Sequence, residues 1–160
     1  MITSQIRSAI LSDDGLYRYQ LLRSWDEGKP LLNWIMLNPS IANAEKDDAT
    51  IRRCIRFSNG WGYGKLAVYN LFALISTNPK NLLKSPDPIG PRNDFWLSDR
   101  AKGDVVLAWG SHGAKFPRRK MEVMRLLTWP INIYCLGKTK EGEPKHPLRL
   151  SAMTRLEPWV

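Results

Sequence analysis

The sequence predicts an α/β fold: three layers, α/β/α, around a mainly parallel central sheet, with an antiparallel hairpin at the N-terminal end. Three observations point there. Continuous apolar runs at Leu31–Leu37, Leu66–Leu71 and Val105–Trp109 read as strands buried on both faces. Segments with helical spacing of apolar residues lie between them. Strand and helix alternating in this way is the signature of parallel crossovers. With 160 residues, one domain is expected, large enough to bury a core.

The elements follow in order. Met1 to Leu11 fits either a short amphipathic piece or a frayed end. Leu16–Leu22 is rich in strand formers, and Asp26–Pro30 supplies turn residues, so Leu31–Leu37 is expected to return as its hairpin partner. That second strand should stop at Asn38-Pro39-Ser40, because proline donates no ladder bond and forces the residue before it to be extended. Asp47 or Asp48 then caps a helix with Ile51, Cys54 and Ile55 inward, Arg52, Arg53 and Arg56 on the other side, and Gly60 just past its end. Leu66–Leu71 is the third strand.

Ala73 to Gly90 is irregular, and a loop that long in a compact domain tends to be functional. Pro91 suits the first turn of a helix carrying Phe95 and Trp96. Val105–Trp109 ends in Gly110-Ser111-His112-Gly113. A basic helix over Pro117–Thr128 should turn Met121 and Met124 inward and Arg118, Arg119, Lys120 and Arg125 outward. Ile131–Leu136 is the fifth strand, followed by a loop leading to His146-Pro147-Leu148-Arg149-Leu150-Ser151.

Seven tryptophans and a 43% hydrophobic content exclude disorder, and a net charge of +9 favours a polyanionic partner. Nucleic acid comes first, an anionic membrane surface second; plain solubility is the competing reading. Cys54 and Cys135 form no CxxC pattern, and His112 and His146 do not complete a ligand set with them. No metal and no other cofactor is expected. The sequence holds no apolar run of transmembrane length and no signal-peptide core near its start, so a cytoplasmic location is expected.

Ligands of parallel α/β sheets bind beyond the carboxyl ends of the strands. Those ends carry Asn38, Asn70, Ser111 with His112, and the loop holding His146. Asn70 interrupts the apolar run Val68-Tyr69-Asn70-Leu71-Phe72, and a buried amide must find partners, either backbone groups or a ligand.

In this order, Leu37-Asn38-Pro39-Ser40, Asn70-Leu71, Trp109–Gly113 and His146-Pro147-Leu148 resemble a bacterial and phage family of unknown function, DUF1643, over roughly Tyr17 to Leu150. A more distant resemblance is to the uracil-DNA glycosylase superfamily, whose α/β fold carries its motifs in the same order. Met36-Leu37-Asn38-Pro39-Ser40 resembles the Gly-Ile-Asn-Pro-Gly of the mismatch-specific branch. His146-Pro147-Leu148-Arg149-Leu150-Ser151 resembles His-Pro-Ser-Pro-Leu-Ser.

This second resemblance implies that Asn38 positions water, that His146 stabilises charge on a departing base, and that Asn70 reads the base edge beside Pro39 and Ser40. Leu150 would wedge into the stack. His112, Arg118, Arg119, Lys120, Lys145 and Arg149 would contact the DNA backbone. Met36 and Ser40 stand where that motif has glycines, Leu148 where it has serine. No aspartate occupies the nucleophile-positioning place, and the four cysteines of the iron–sulfur branches are absent. The expected function is hydrolysis of an N-glycosidic bond to a damaged or modified base, with DNA ahead of RNA as partner. Two alternatives stay open: an inactive nucleic-acid or nucleotide-binding module, and an enzyme of free nucleosides or nucleotides.

Overall fold

A computed structural model describes residues 6–128 and 132–160. Seven strands run β1 (Ile6–Leu11), β2 (Arg18–Ser24), β3 (Leu31–Met36), β4 (Lys65–Asn70), β5 (Asp104–Leu107), β6 (Ile133–Cys135) and β7 (Glu157–Pro158). Four α-helices accompany them: α1 (Ala49–Gly60), α2 (Asn81–Lys84), α3 (Asn93–Arg100) and α4 (Pro117–Leu126). Ile131, expected to begin the fifth strand, lies outside the described residues. No helix among those described is long and apolar enough to cross a membrane.

The seven strands form one sheet in the order β1-β2-β4-β3-β5-β6-β7. Its middle is parallel, β4 with β3, β3 with β5 and β5 with β6. Its flanks are antiparallel, β1 with β2, β2 with β4 and β6 with β7. The sheet is therefore mixed, not mainly parallel.

The hairpin is also different from the expected one. Ile6–Leu11 pairs with β2, whereas β4 separates β2 from β3. The residues explain this. β3 is buried on both faces and needs a covered central place, whereas β2 carries Arg18 and Arg23, whose guanidiniums need the carbonyls and the carboxylate found at the sheet's flank.

Side-chain alternation along β3 builds two cores. Leu32, Trp34 and Met36 point to one, with Ile51, Cys54, Ile55 and Phe57 of α1. Ile35 and Leu37 point to the other, with Leu82 of α2, Leu97 of α3 and Val123 of α4. Helices thus cover both faces. Each fully buried Leu or Ile contributes about 1.5–3 kcal/mol from burial. The indole of Trp34 meets its one polar need by donating to Ser58 Oγ at 3.0 Å.

Asp48 is the α1 cap: its Oδ1 accepts from the Ile51 N–H at 2.8 Å. Gly60, expected beyond this helix, is its last residue, and the left-handed turn position is taken by Gly62, φ 93°. On α4 the expectation holds for Met124, which packs on the core, and for exposed Arg118 and Arg125, and fails for Met121 and Arg119. Arg119 and Val123 are buried, and Met121 is exposed. Arg119 turns inward because its Nε donates to Leu71 O at 2.7 Å and its Nη2 pairs with Asp94 at 2.7 Å, so the charge is satisfied there.

Candidate active-site pocket

β3 lies first in the chain among the parallel strands, with β4 on one side and β5 on the other. Successive crossovers therefore leave in opposite directions and open a crevice at the carboxyl ends, the usual ligand position of such sheets. A cavity of about 170 Å³ sits there. It has room for a small heterocycle. Asn38 follows β3, Asn70 ends β4, Trp109 follows β5, and all three line the cavity with His112 and His146. Of the side chains expected at this edge, Asn38, Asn70, His112 and His146 line the cavity, and Ser111 does not.

Asn70 is 2% exposed, yet neither end of its carboxamide has a hydrogen-bond partner among the described residues. Two other buried asparagines use Nδ2 on backbone carbonyls, while the Oδ1 of each has no partner among the described residues. Asn33 Nδ2 donates to Lys102 O at 2.6 Å, and Asn93 Nδ2 donates to the carbonyl of Asn70 itself at 3.0 Å. Those two serve the backbone. The Asn70 amide serves nothing within the chain, at a cost of about 1–3 kcal/mol for a buried unsatisfied group.

Asn38 is held differently. Its Nδ2 donates to Ser76 O at 2.8 Å and Pro39 O at 3.0 Å. Ser76 N in turn donates to Pro39 O at 2.9 Å. The long segment after Ala73 is thus tied to the Asn-Pro turn and, through Pro79, forms one wall of the cavity. With its amide nitrogen clamped, Asn38 keeps Oδ1 as an acceptor, unbonded among the described residues.

His146 reaches the site on a loop fixed to the end of β5. Gly110 N donates to Pro144 O at 2.9 Å, and Trp109 Nε1 donates to buried Glu143 at 2.7 Å. Gly110 has φ 76°, and a side chain there would sit 3.2 Å from His146 Cβ, so glycine is needed for both backbone and approach. Leu148 N–H donates to His146 Nδ1 at 3.2 Å. An accepting Nδ1 leaves the proton of the neutral ring on Nε2. Burial pushes the His146 pKa down from 6.5; the nearby Asp48 charge opposes this and His112 adds to it. At neutral pH the ring is an uncharged donor.

Two lining residues escaped the sequence reading. Arg18 is 3% exposed, donates from Nη1 to Ala42 O, leaves Nε without a partner and has no ion pair among the described residues. Burial pushes its pKa down to about 10, with Asp48 pulling the other way, so it remains a cation at neutral pH. Asp48 lines the same cavity with Thr50. A carboxylate is therefore present, although no sequence motif placed one. The only signals were an arginine between Tyr17 and Tyr19 in a strand and an acidic cap shortly after Asn-Pro-Ser.

The other expected residues separate. Pro39 turns the chain and Ser40 lines the cavity. Leu150 packs against the α1-side core, whereas Leu148 is 38% exposed. The cause is Arg149, whose φ of 67° puts a left-handed kink between them. The projecting apolar side chain beside His146 is thus Leu148. On α4, Arg118 pairs with Glu122, Arg119 is buried, and Lys120 pairs with Glu143, so these three do not form a free basic face. Lys145 is half-buried, with its backbone N–H donating to Gly137 O at 3.0 Å. No group of three or more His, Cys, Asp or Glu side chains among the described residues is placed to hold a metal ion.

The family model described as a protein of unknown function, DUF1643, matches residues 18–148. The chain belongs to this family. Its match begins at Arg18 and ends at Leu148, so it takes in the whole pocket. No curated protein and no solved structure matches the chain.

Proposed function

We propose that the DUF1643 pocket receives a single base from a nucleic-acid strand and that the protein hydrolyses its N-glycosidic bond. The observation that carries this reading is the unpartnered carboxamide of Asn70 at the end of a core strand, in a cavity of base size. The buried Nδ2 has no partner among the described residues, and with Oδ1 it offers the donor and acceptor that recognition of a base edge uses. The motif resemblance to the uracil-DNA glycosylase superfamily supports the reading, as do the four adjacent parallel strands β4-β3-β5-β6.

The steps follow from the groups present. Asn70 hydrogen-bonds the base edge. Nε2–H of neutral His146 donates to the carbonyl oxygen of the base that gains negative charge as the C1′–N bond breaks and its electron pair leaves with the base. A preorganised donor of this kind contributes about 3–4 kcal/mol. The Arg18 cation favours the same charge. Asn38 Oδ1 orients the water that adds to C1′, and Asp48 is the carboxylate available for that water's proton.

The test is a panel of labelled oligonucleotides carrying uracil, hypoxanthine, xanthine, mismatched thymine and modified pyrimidines. Abasic product should form on at least one. His146→Ala should slow it about 10²–10³-fold, and Asn38→Ala should slow it as well. Strand binding with no product on any substrate would refute hydrolysis and leave a binding module.

A further inference from the structure

The surplus positive charge of this protein has a definite location. Helix α1 contains three arginines and no acidic residue. The segment from Leu148 to Leu156 adds Arg149 and Arg155, again with no acidic residue. The fold lays the two side by side. Arg53 bonds the carbonyl of Leu150, Trp61 Nε1 donates to Thr154 O at 3.2 Å, and Arg56 and Arg155 line one shallow groove. None of the five arginines makes an ion pair among the described residues. The carboxylates at the start of α1 are engaged, Asp47 with Arg7 and Arg23 and Asp48 as the helix cap, and Glu157 follows just beyond the second segment. α4 is the contrast, since its cations are matched by Glu122, Asp94 and Glu143.

We infer that the exposed arginine face of α1 and the Leu148–Leu156 segment is the surface that tracks the sugar–phosphate backbone of a nucleic-acid strand. It rests on the reading that the pocket takes its base from a strand. Thr50 and Ile51 of α1 line the pocket, and Arg56 lies about 9 Å further along the axis at 1.5 Å per residue. A strand lying on this face has its phosphates against the guanidiniums and the flipped nucleotide at the pocket mouth. Arg53 has a second task, since it also stacks on the Phe57 ring at 4.7 Å; Arg52 spends only Nη1, on Asp47 O at 3.0 Å, and Arg56 and Arg155 make no side-chain hydrogen bond among the described residues, so Arg52, Arg56 and Arg155 are the ones with donors to offer.

The experiment is fluorescence anisotropy of a single-stranded oligonucleotide over a range of salt concentrations. Each phosphate contact contributes about 0.7 to the slope of log K against log salt for a single strand. The combined variant Arg52→Gln, Arg56→Gln, Arg155→Gln should flatten the slope by about 2 and weaken binding at least tenfold at low salt. The α4 variant Arg118→Gln, Arg125→Gln should leave slope and affinity unchanged. Thermal melting, unchanged in both variants, separates lost contacts from lost folding.

An unaltered slope in the first variant, or a larger change in the second, overturns the assignment. So does wild-type protein that binds phosphatidylserine vesicles through these arginines and binds no strand. Strand binding that follows the predicted slopes, with no base released from any substrate, upholds the surface while removing the hydrolytic reading.

Discussion

Replacing Asn70 with leucine should stabilise the protein and abolish its activity. The side chain is 2% exposed and its Nδ2 has no partner, so the native state carries an unsatisfied amide worth about 1–3 kcal/mol. Leucine is close in size and faces a cavity with room for its extra bulk. Val68, two residues earlier on the same face, already packs in the α1-side core. The expected gain is about 1–2 kcal/mol after some loss to imperfect packing. For a chain of this length that corresponds to a rise in Tm of about 2–8 °C.

Urea denaturation of wild type, Asn70→Leu and Asn33→Leu would measure it. Asn33 is the control, because its amide bonds Lys102 O and Asp104 O, and its loss should cost about 1–3 kcal/mol. A gain at position 70 with a loss at 33 identifies Asn70 as a group held for a ligand at the expense of stability. A loss of 1 kcal/mol or more at position 70 would show that its carboxamide is structural, and the base-reading argument would fall.

Other expectations concern the neighbouring groups. Asp48→Asn should keep the helix cap and change stability by less than about 0.5 kcal/mol. Base release should still fall at least tenfold if the carboxylate takes the proton, and Asp48→Ala should cost about 1 kcal/mol as well. For His146, the lowered folded pKa means the unfolded chain protonates first as pH falls below 6.5. Its contribution to stability is therefore neutral above 6.5 and unfavourable below it. Base release should be flat from neutral upward and decline in acid, as protonation of Nδ1 breaks the bond from Leu148 N–H; a rate that rises into acid would contradict this. Arg119→Met should cost about 1 kcal/mol, since the Leu71 carbonyl loses its shorter bond and keeps the one from Asn93 Nδ2 at 3.3 Å, against less than about 0.5 for Arg118→Ala, both read by denaturation.

How far the sequence alone reaches can be seen residue by residue. Asn38 and Asn70 were legible because each interrupts or ends a long apolar run, and strand ends of α/β sheets point at ligands. The Asp48 cap and the inward Ile51, Cys54 and Ile55 of α1 followed from local rules, and those rules held.

What failed was non-local. Which strand neighbours β2 depends on a pairing across more than forty residues, Leu21 with Val68, that no local pattern encodes. On α4 the placement of Arg119 failed because arginine was assumed to face water, whereas Arg119 finds a carbonyl and a carboxylate inside. Leu148 and Leu150 exchanged roles through one left-handed residue, Arg149, whose type gives no warning of it. Arg18 was invisible for a similar reason: only the fold brings a strand arginine to the floor of a pocket built from loops far along the chain.

The most direct test of the central claim is NMR of the Asn70 side-chain amide, assigned by its loss in Asn70→Leu. Free bases, namely uracil, thymine, cytosine, adenine, guanine, hypoxanthine and xanthine, would be titrated in turn. The account predicts that the Asn70 Nδ2 proton signals shift saturably with at least one base, while those of Asn33 stay in place. Asn70 signals that move with none of them would contradict it.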